Sequence, residues 1–142
     1  MSVEENKAIV VRFIQEVMSD HTLSKIDEFV APEAGNHSRT RTGSYREALR
    51  GVFSQDEVDW KFEIDDIIAE GDRVVVRCTA SYTARIERNH LGIEYRPGTR
   101  ARVWHVHIFR LRDGMIVDHW PVRDDWDGIL QFHAPVAEGM PA

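Results

Sequence analysis

The dipeptide Asp113-Gly114, set between two alternating runs, constrains this chain more than any other feature. The run before it is Trp104-His105-Val106-His107-Ile108-Phe109-Arg110-Leu111-Arg112, and the run after it is Met115-Ile116-Val117-Asp118-His119-Trp120-Pro121-Val122-Arg123. Asp-Gly suits the two positive-φ positions of a tight hairpin turn, so the segment reads as two antiparallel strands. A period of two puts His105, His107 and Phe109 on one face and Trp104, Val106 and Ile108 on the other. A solvated hairpin would not need the apolar residues, and a plain core would avoid the histidines. Together they predict a strand lining a half-apolar pocket, where small-molecule chemistry is commonly done.

Upstream, the pattern changes period. Ser2 and Glu5 form a capping box, and Ile9, Val10, Phe13, Ile14 and Val17 follow at helical spacing. Leu23, Ile26, Phe29 and Val30 predict a second, short helix that Ala31-Pro32 ends, because the residue before proline disfavours helical backbone. Residues 33–43 read as a polar loop with a short strand around Asn36 to Arg39. Ser44 and Glu47 make another capping box, opening a helix whose Tyr45, Ala48, Leu49, Val52 and Phe53 face the core. From Val58 the period is two: Trp60, Phe62 and Ile64 share a face, as do Val74, Val76, Cys78, Ala80 and Tyr82. Asn89 to Thr99 reads as a connecting loop, and Trp126, Ile129, Leu130 and Phe132 as a short closing helix. The sequence predicts one domain over residues 1–134 and a flexible tail over 135–142. Helices first and an antiparallel meander after them define an α+β layer design: helices on one face of a curved sheet, leaving a cone with an open mouth.

Composition excludes several function classes. A net charge of −6, with no basic run interleaved with aromatics, argues against nucleic acid or an anionic membrane as partner. No apolar stretch has transmembrane length, and the acidic start Met1-Ser2-Val3-Glu4-Glu5 is unlike a signal peptide, so the expected location is cytoplasmic. The single Cys78 excludes an internal disulfide and a cysteine zinc cluster. No phosphate-cradling glycine loop, zinc-protease motif, nucleophile elbow or dinucleotide fingerprint is present.

Several segments resemble one known family. Glu5-Asn6-Lys7 leading to Phe13, and Ile26-Asp27-Glu28-Phe29-Val30-Ala31-Pro32, are similar to its first two helices. Asn36-His37-Ser38, Glu70-Gly71-Asp72-Arg73-Val74 and Leu91-Gly92-Ile93 match its connecting segments, and His107 through Trp120 its C-terminal signature. The chain resembles the SnoaL-like polyketide cyclases, within the nuclear transport factor 2-like (cystatin-like α+β barrel) fold, from about residue 4 to about residue 131. The resemblance implies N-terminal helices on a strongly curved antiparallel or mixed sheet, a cone-shaped pocket and a homodimer. It implies cofactor-free, metal-free aldol-type ring closure, with one carboxylate as general acid/base and a histidine on the preceding strand. That histidine is His107; the carboxylate position, directly after the signature tryptophan, is Pro121. Proline cannot move a proton, so the family mechanism does not transfer unchanged. The fold itself also hosts isomerases, hydrolases, dehydratases and simple binders.

The candidate catalytic residues are His107, His105, Asp124 and Tyr82. Imidazole titrates near working pH, so His107 suits a general acid/base. His105, on the same face, is a second pocket histidine or an exposed strand residue. With His119 across the hairpin the pair has metal-ligand spacing, but no carboxylate clearly completes the set and the metal-free family implies none. Asp124 can orient a histidine or replace the lost base; alternatively it bonds backbone or Arg123, while Asp125 can cap the last helix. Tyr82 and Tyr45 offer phenolic protons or plain core wall. His37, which the resemblance directs into the pocket, Trp60, Phe62, Trp104, Phe109, His119, Trp120 and Arg123 complete the candidate substrate-binding set. His119 and Arg123 share the parity of Pro121, unless a proline bulge breaks it.

Three functional readings follow. The first is a cofactor-free cyclase acting on a polyketide-like or other aromatic intermediate, with oxygen-ring closure as a variant because of Pro121. The second is the same cone holding an apolar molecule without turnover, or an epoxide hydrolase or isomerase on this scaffold. A purely structural dimer partner using the open sheet face is the third.

Overall fold

The computed structural model describes residues 1–38, 43–54, 56–90 and 93–133. The tail predicted over 135–142 lies outside these residues, as does Arg39 at the end of the strand expected around Asn36 to Arg39; of that stretch, Asn36 is in a strand and His37 and Ser38 follow it. Helix α1 spans Val3–Phe13, and its Ser2 cap accepts the Glu5 backbone N–H at 3.1 Å. Its stripe of Val10, Phe13, Ile14 and Val17 is wholly buried. Each such side chain removed from water contributes about 1.5–3 kcal/mol. Past Phe13 the helix widens into a π-helical segment, Ile14–Ser19. Its last residue ties down the sheet edge: the Ser19 hydroxyl accepts the Phe62 N–H at 2.9 Å and donates to the Phe62 carbonyl at 3.3 Å.

The second helix is shorter than the sequence predicts: a 3-10 turn at Leu23–Lys25, then α2 at Ile26–Phe29. Strand β1 (Val30–Asn36) begins at Val30, earlier than expected. It is an edge strand, which is where a strand can carry Pro32 without losing a ladder bond on both sides. Helix α3 (Tyr45–Phe53) starts at Ser44, which has extended N-cap backbone but makes no capping bond through its hydroxyl, unlike the expected capping box.

Strands β2 (Val58–Glu70), β3 (Arg73–Ala84), β6 (Arg100–Arg112) and β7 (Met115–Arg123) form the main sheet with β1, in the order β1-β7-β6-β3-β2. Within the predicted loop between Asn89 and Thr99, the chain forms part of a small hairpin of β4 (Arg88–His90) and β5 (Ile93–Tyr95). Helix α4 (Asp125–His133) closes the described chain. Strand β1 runs parallel to β7, and the other neighbours are antiparallel. At the β6–β7 turn Asp113 and Gly114 have φ of 51° and 77°, the mirror-image turn that Asp-Gly favours. Register breaks at Ile64/Asp66, Arg110/Leu111 and Val30/Gly35 bend the sheet around the helices. The inner face packs Val74, Val76, Cys78, Phe109, Leu111 and Ile116 against the helical stripe. No helix of the described residues is long and apolar enough to cross a membrane.

Candidate active site

One end of the core is hollow. Helix α3 lays Tyr45, Ala48, Leu49, Val52 and Phe53 over the concave sheet, and Trp60 and Phe62 wall the opposite side. The resulting cavity is about 100 Å³ and is lined at its sheet side by His105, His107, His119, Pro121 and Arg123. Strand alternation is the local reason: His105 and His107 share a face of β6, while His119, Pro121 and Arg123 share a face of β7. No bulge interrupts β7 at the proline. Pro121 pairs with His107, and β1 pairs with β7 only as far as His119, so the missing N–H breaks no bond with β1.

The three histidines are buried at 4%, 4% and 5% exposure for His105, His107 and His119. They form a file. His105 Nδ1 lies 3.3 Å from His107 Nε2, and His107 Nδ1 lies 2.8 Å from His119 Nε2. His119 Nδ1 ends on Asn36 Oδ1 at 3.0 Å. The rings are held flat by stacking: His107 on His119 at 5.1 Å, and His119 on Tyr45 at 4.2 Å. Burial, with the charges of His107 and Arg123, pushes His105 down to about 3. Burial, with Arg123, pushes His107 down to about 4. Burial drives His119 well below the ordinary histidine value. All three are therefore neutral near pH 7, each with one N–H and one lone pair. Their facing nitrogens are spent on one another, and among the described residues no group of three His, Cys, Asp or Glu side chains can hold a metal ion.

Besides the histidines, the polar residues Asn36, Ser38, Tyr45 and Arg123 line the cavity. The Tyr45 hydroxyl is buried without a hydrogen-bond partner, and burial raises its pKa well above the usual phenol value, so it stays a donor. Arg123 is the only fully charged side chain among the described lining residues, and Asp125 binds it at 3.3 Å. No Asp or Glu lines the cavity among those residues.

The other sequence candidates lie elsewhere. Trp104 is 63% exposed on the outer sheet face, opposite in parity to His105, and so is outside the pocket. Trp120 also faces outward, stacked on His37 at 4.8 Å. His37 does not enter the cone: its Nε2 donates to Asp118 Oδ1 at 2.8 Å on that same outer face. Asp124 is an exposed helix cap rather than a histidine partner, its carboxylate accepting the Asp127 N–H at 3.1 Å. Asp125, expected to cap, instead begins α4 and pairs with Arg123. Tyr82 sits against Trp60 at 4.7 Å, behind the cavity wall. Phe109 is fully buried beneath the histidines, 5.2 Å from His119 and edge-on to Phe13. Nothing in the local pattern singles out Asn36, whose place beside His119 comes from the parallel β1–β7 pairing. The Pro121 wall follows from the parity that places His119.

A cone of helices and curved sheet with a buried polar file at its open end is a scaffold for small-molecule chemistry. The SnoaL-like domain model matches residues 10–119, and the chain belongs to the SnoaL-like family. Among solved structures, the chain is similar to IdmH, a proposed polyketide cyclase from Streptomyces antibioticus, at 25% identity and TM-score 0.74, over 91% of this chain and 99% of that one. It is also similar to AclR, a proposed hydroxylase from Streptomyces galilaeus, at 24% identity and TM-score 0.76, over 93% and 98% of the two chains. An LEH-like epoxide hydrolase from M. tuberculosis shares the fold at 17% identity and TM-score 0.73, over 92% of this chain and 91% of that one. No curated protein matches the sequence.

Proposed function

We propose that this protein is a cofactor-free cyclase that closes or rearranges a ring in a small apolar or aromatic intermediate of polyketide type. The observation that carries this reading is the file of neutral, buried histidines lining an apolar cavity beside Tyr45, whose buried hydroxyl has no hydrogen-bond partner. A neutral imidazole is a proton acceptor at pH 7, and a protonated phenol donates to a developing oxyanion. With Pro121 in the wall and no carboxylate among the described lining residues, oxygen attack fits better than carbanion formation. In that step a substrate hydroxyl gives its proton to a histidine. Its oxygen bonds to an epoxide or enone carbon while the C–O or C=C electron pair moves to oxygen. That oxygen takes a hydrogen bond from Tyr45 and finally the proton, so substrate and product are isomers.

The lack of a carboxylate among the described lining residues supports a second reading: a non-catalytic binder of the same ligands. Incubation with planar polyketide-like and prenylated phenolic compounds separates the two. Cyclase function predicts turnover that His107→Ala abolishes while ligand affinity survives. Binding without conversion by the wild-type protein across the panel would support the binder.

Homodimer formation is part of the same proposal. The outer sheet face carries Trp104 and Val122, 63% and 60% exposed. Sedimentation of the wild type as a dimer and of Trp104→Glu as a monomer is the expected result.

A further inference from the structure

The histidine file has a direction. A neutral imidazole carries a single N–H, so in a file of three each ring must donate the same way or a contact is lost. At the inner end, Asn36 Oδ1 faces His119 Nδ1 at 3.0 Å. A carbonyl oxygen only accepts, so His119 Nδ1 carries the hydrogen and His119 Nε2 the lone pair. His107 Nδ1 then donates to His119 Nε2 across 2.8 Å, and His105 Nδ1 donates to His107 Nε2 across 3.3 Å. Both nitrogens of His107 and of His119 are consumed in the file. The open end is Nε2 of His105, bearing a lone pair.

We propose that Asn36 is a positioning residue that fixes the tautomers of His119, His107 and His105, and thereby makes His105 Nε2, rather than His107, the proton acceptor of the pocket. This rests on the acid/base reading above. Independent features agree with the direction. Asn36 is register partner of His119 in the parallel β1–β7 pair, and the His37 N–H donates to the His119 carbonyl at 2.8 Å, locking the two backbones together. Arg123 is the register partner of His105. A nearby guanidinium favours a lone pair over an N–H at that end of the file. A proton taken at His105 Nε2 need not remain there. His105 Nδ1–H can pass to His107 Nε2, and His107 Nδ1–H to His119 Nε2, so the charge spreads over three rings before it returns along the same path to the product oxygen. His107 is then a relay.

The test is a long-range 1H–15N correlation spectrum of the full chain labelled at histidine, near pH 7, with the three rings assigned through His105→Gln, His107→Gln and His119→Gln. The expected pattern is Nδ1–H for all three, with a pyridine-type Nε2 signal for His105. Nε2–H tautomers throughout, or a mixture, would overturn the proposal, because Asn36 would then present its amide N–H or set nothing. Asn36→Asp, which retains an acceptor at the same place, should keep the pattern. Asn36→Leu should scramble it, and unchanged tautomers in that variant would overturn the positioning role. Should Asn36→Leu not fold, the wild-type and Asn36→Asp spectra decide. With a substrate in hand, Asn36→Leu should lower kcat about 100-fold or more and leave KM nearly unchanged. The spectra do not depend on turnover: an inactive protein with the expected tautomers would sink the cyclase reading and leave the direction of the file intact.

Discussion

The Tyr45 ring lies flat on His119, with centroids 4.2 Å apart and planes 15° apart, and its hydroxyl is buried with no partner of its own. A buried donor left unpaired costs about 1–3 kcal/mol, a cost that a bound oxygen would remove. The same helix that supplies Tyr45 supplies the apolar roof, so one amphipathic face of α3 sets both the shape of the cavity and its donor.

Tyr45→Phe should therefore be as stable as wild type, or more stable by about 1 kcal/mol. Its turnover should fall about 100-fold. Thermal unfolding beside initial rates reads both. A large loss of stability would mean that the hydroxyl has a structural partner.

Acid should destabilise the fold earlier than carboxylate protonation alone would. His105 and His107 are pushed down to about 3 and about 4, and His119 also lies well below its usual value. In the unfolded chain all three titrate near 6.5. As pH falls below about 6.5 the unfolded state binds protons that the folded state refuses. Stability is thus full above that pH and is lost on the way down toward about 3. Each excluded proton adds about 1.4 kcal/mol per pH unit to the slope. Urea unfolding at pH 7, 6 and 5 measures it, and the triple variant with Gln at the three positions should show a flatter profile.

On the outer face, Asp118 accepts from His37 at 2.8 Å and from Arg110 Nε at 2.7 Å. Burial alone would raise Asp118, but these hydrogen bonds outweigh it and hold the carboxyl below the ordinary range. Asp118→Asn should cost about 1 kcal/mol. His37→Ala should leave turnover unchanged, since His37 is outside the cone. Loss of turnover in His37→Ala with the fold intact would return that residue to the pocket.

Gly128 in α4 leaves room for Tyr82. A Cβ there would stand 2.7 Å from the Tyr82 hydroxyl and 3.3 Å from Val103. Gly128→Ala gains about 1 kcal/mol of helix propensity but must push back a rigid ring. The expected net effect is a lower melting temperature, recovered in the double variant with Tyr82→Phe.

Periodicity alone determined a good deal. The two-residue repeat assigned His105, His107 and His119 to single strand faces, and the Asp113-Gly114 turn fixed the hairpin that joins them, because both are properties of local backbone geometry. The helical repeat of Tyr45, Leu49 and Phe53 likewise marked the inner face of α3. The expected α+β cone is present for the same reason. Tertiary structure decided the rest. Parity sorts residues into two faces but does not say which face is roofed, so Trp104 and Trp120 were legible as aromatic and not as outward. Asn36 stands beside His119 only because β1 pairs in parallel with a strand some eighty residues away. The low pKa values of the histidines come from a roof built by a helix far off in sequence. His37 and Asp124 carry the right chemistry for a site, but His37, just past the end of β1, is held on the outer face by Asp118 and Trp120, and the start of α4 uses Asp124 as a cap.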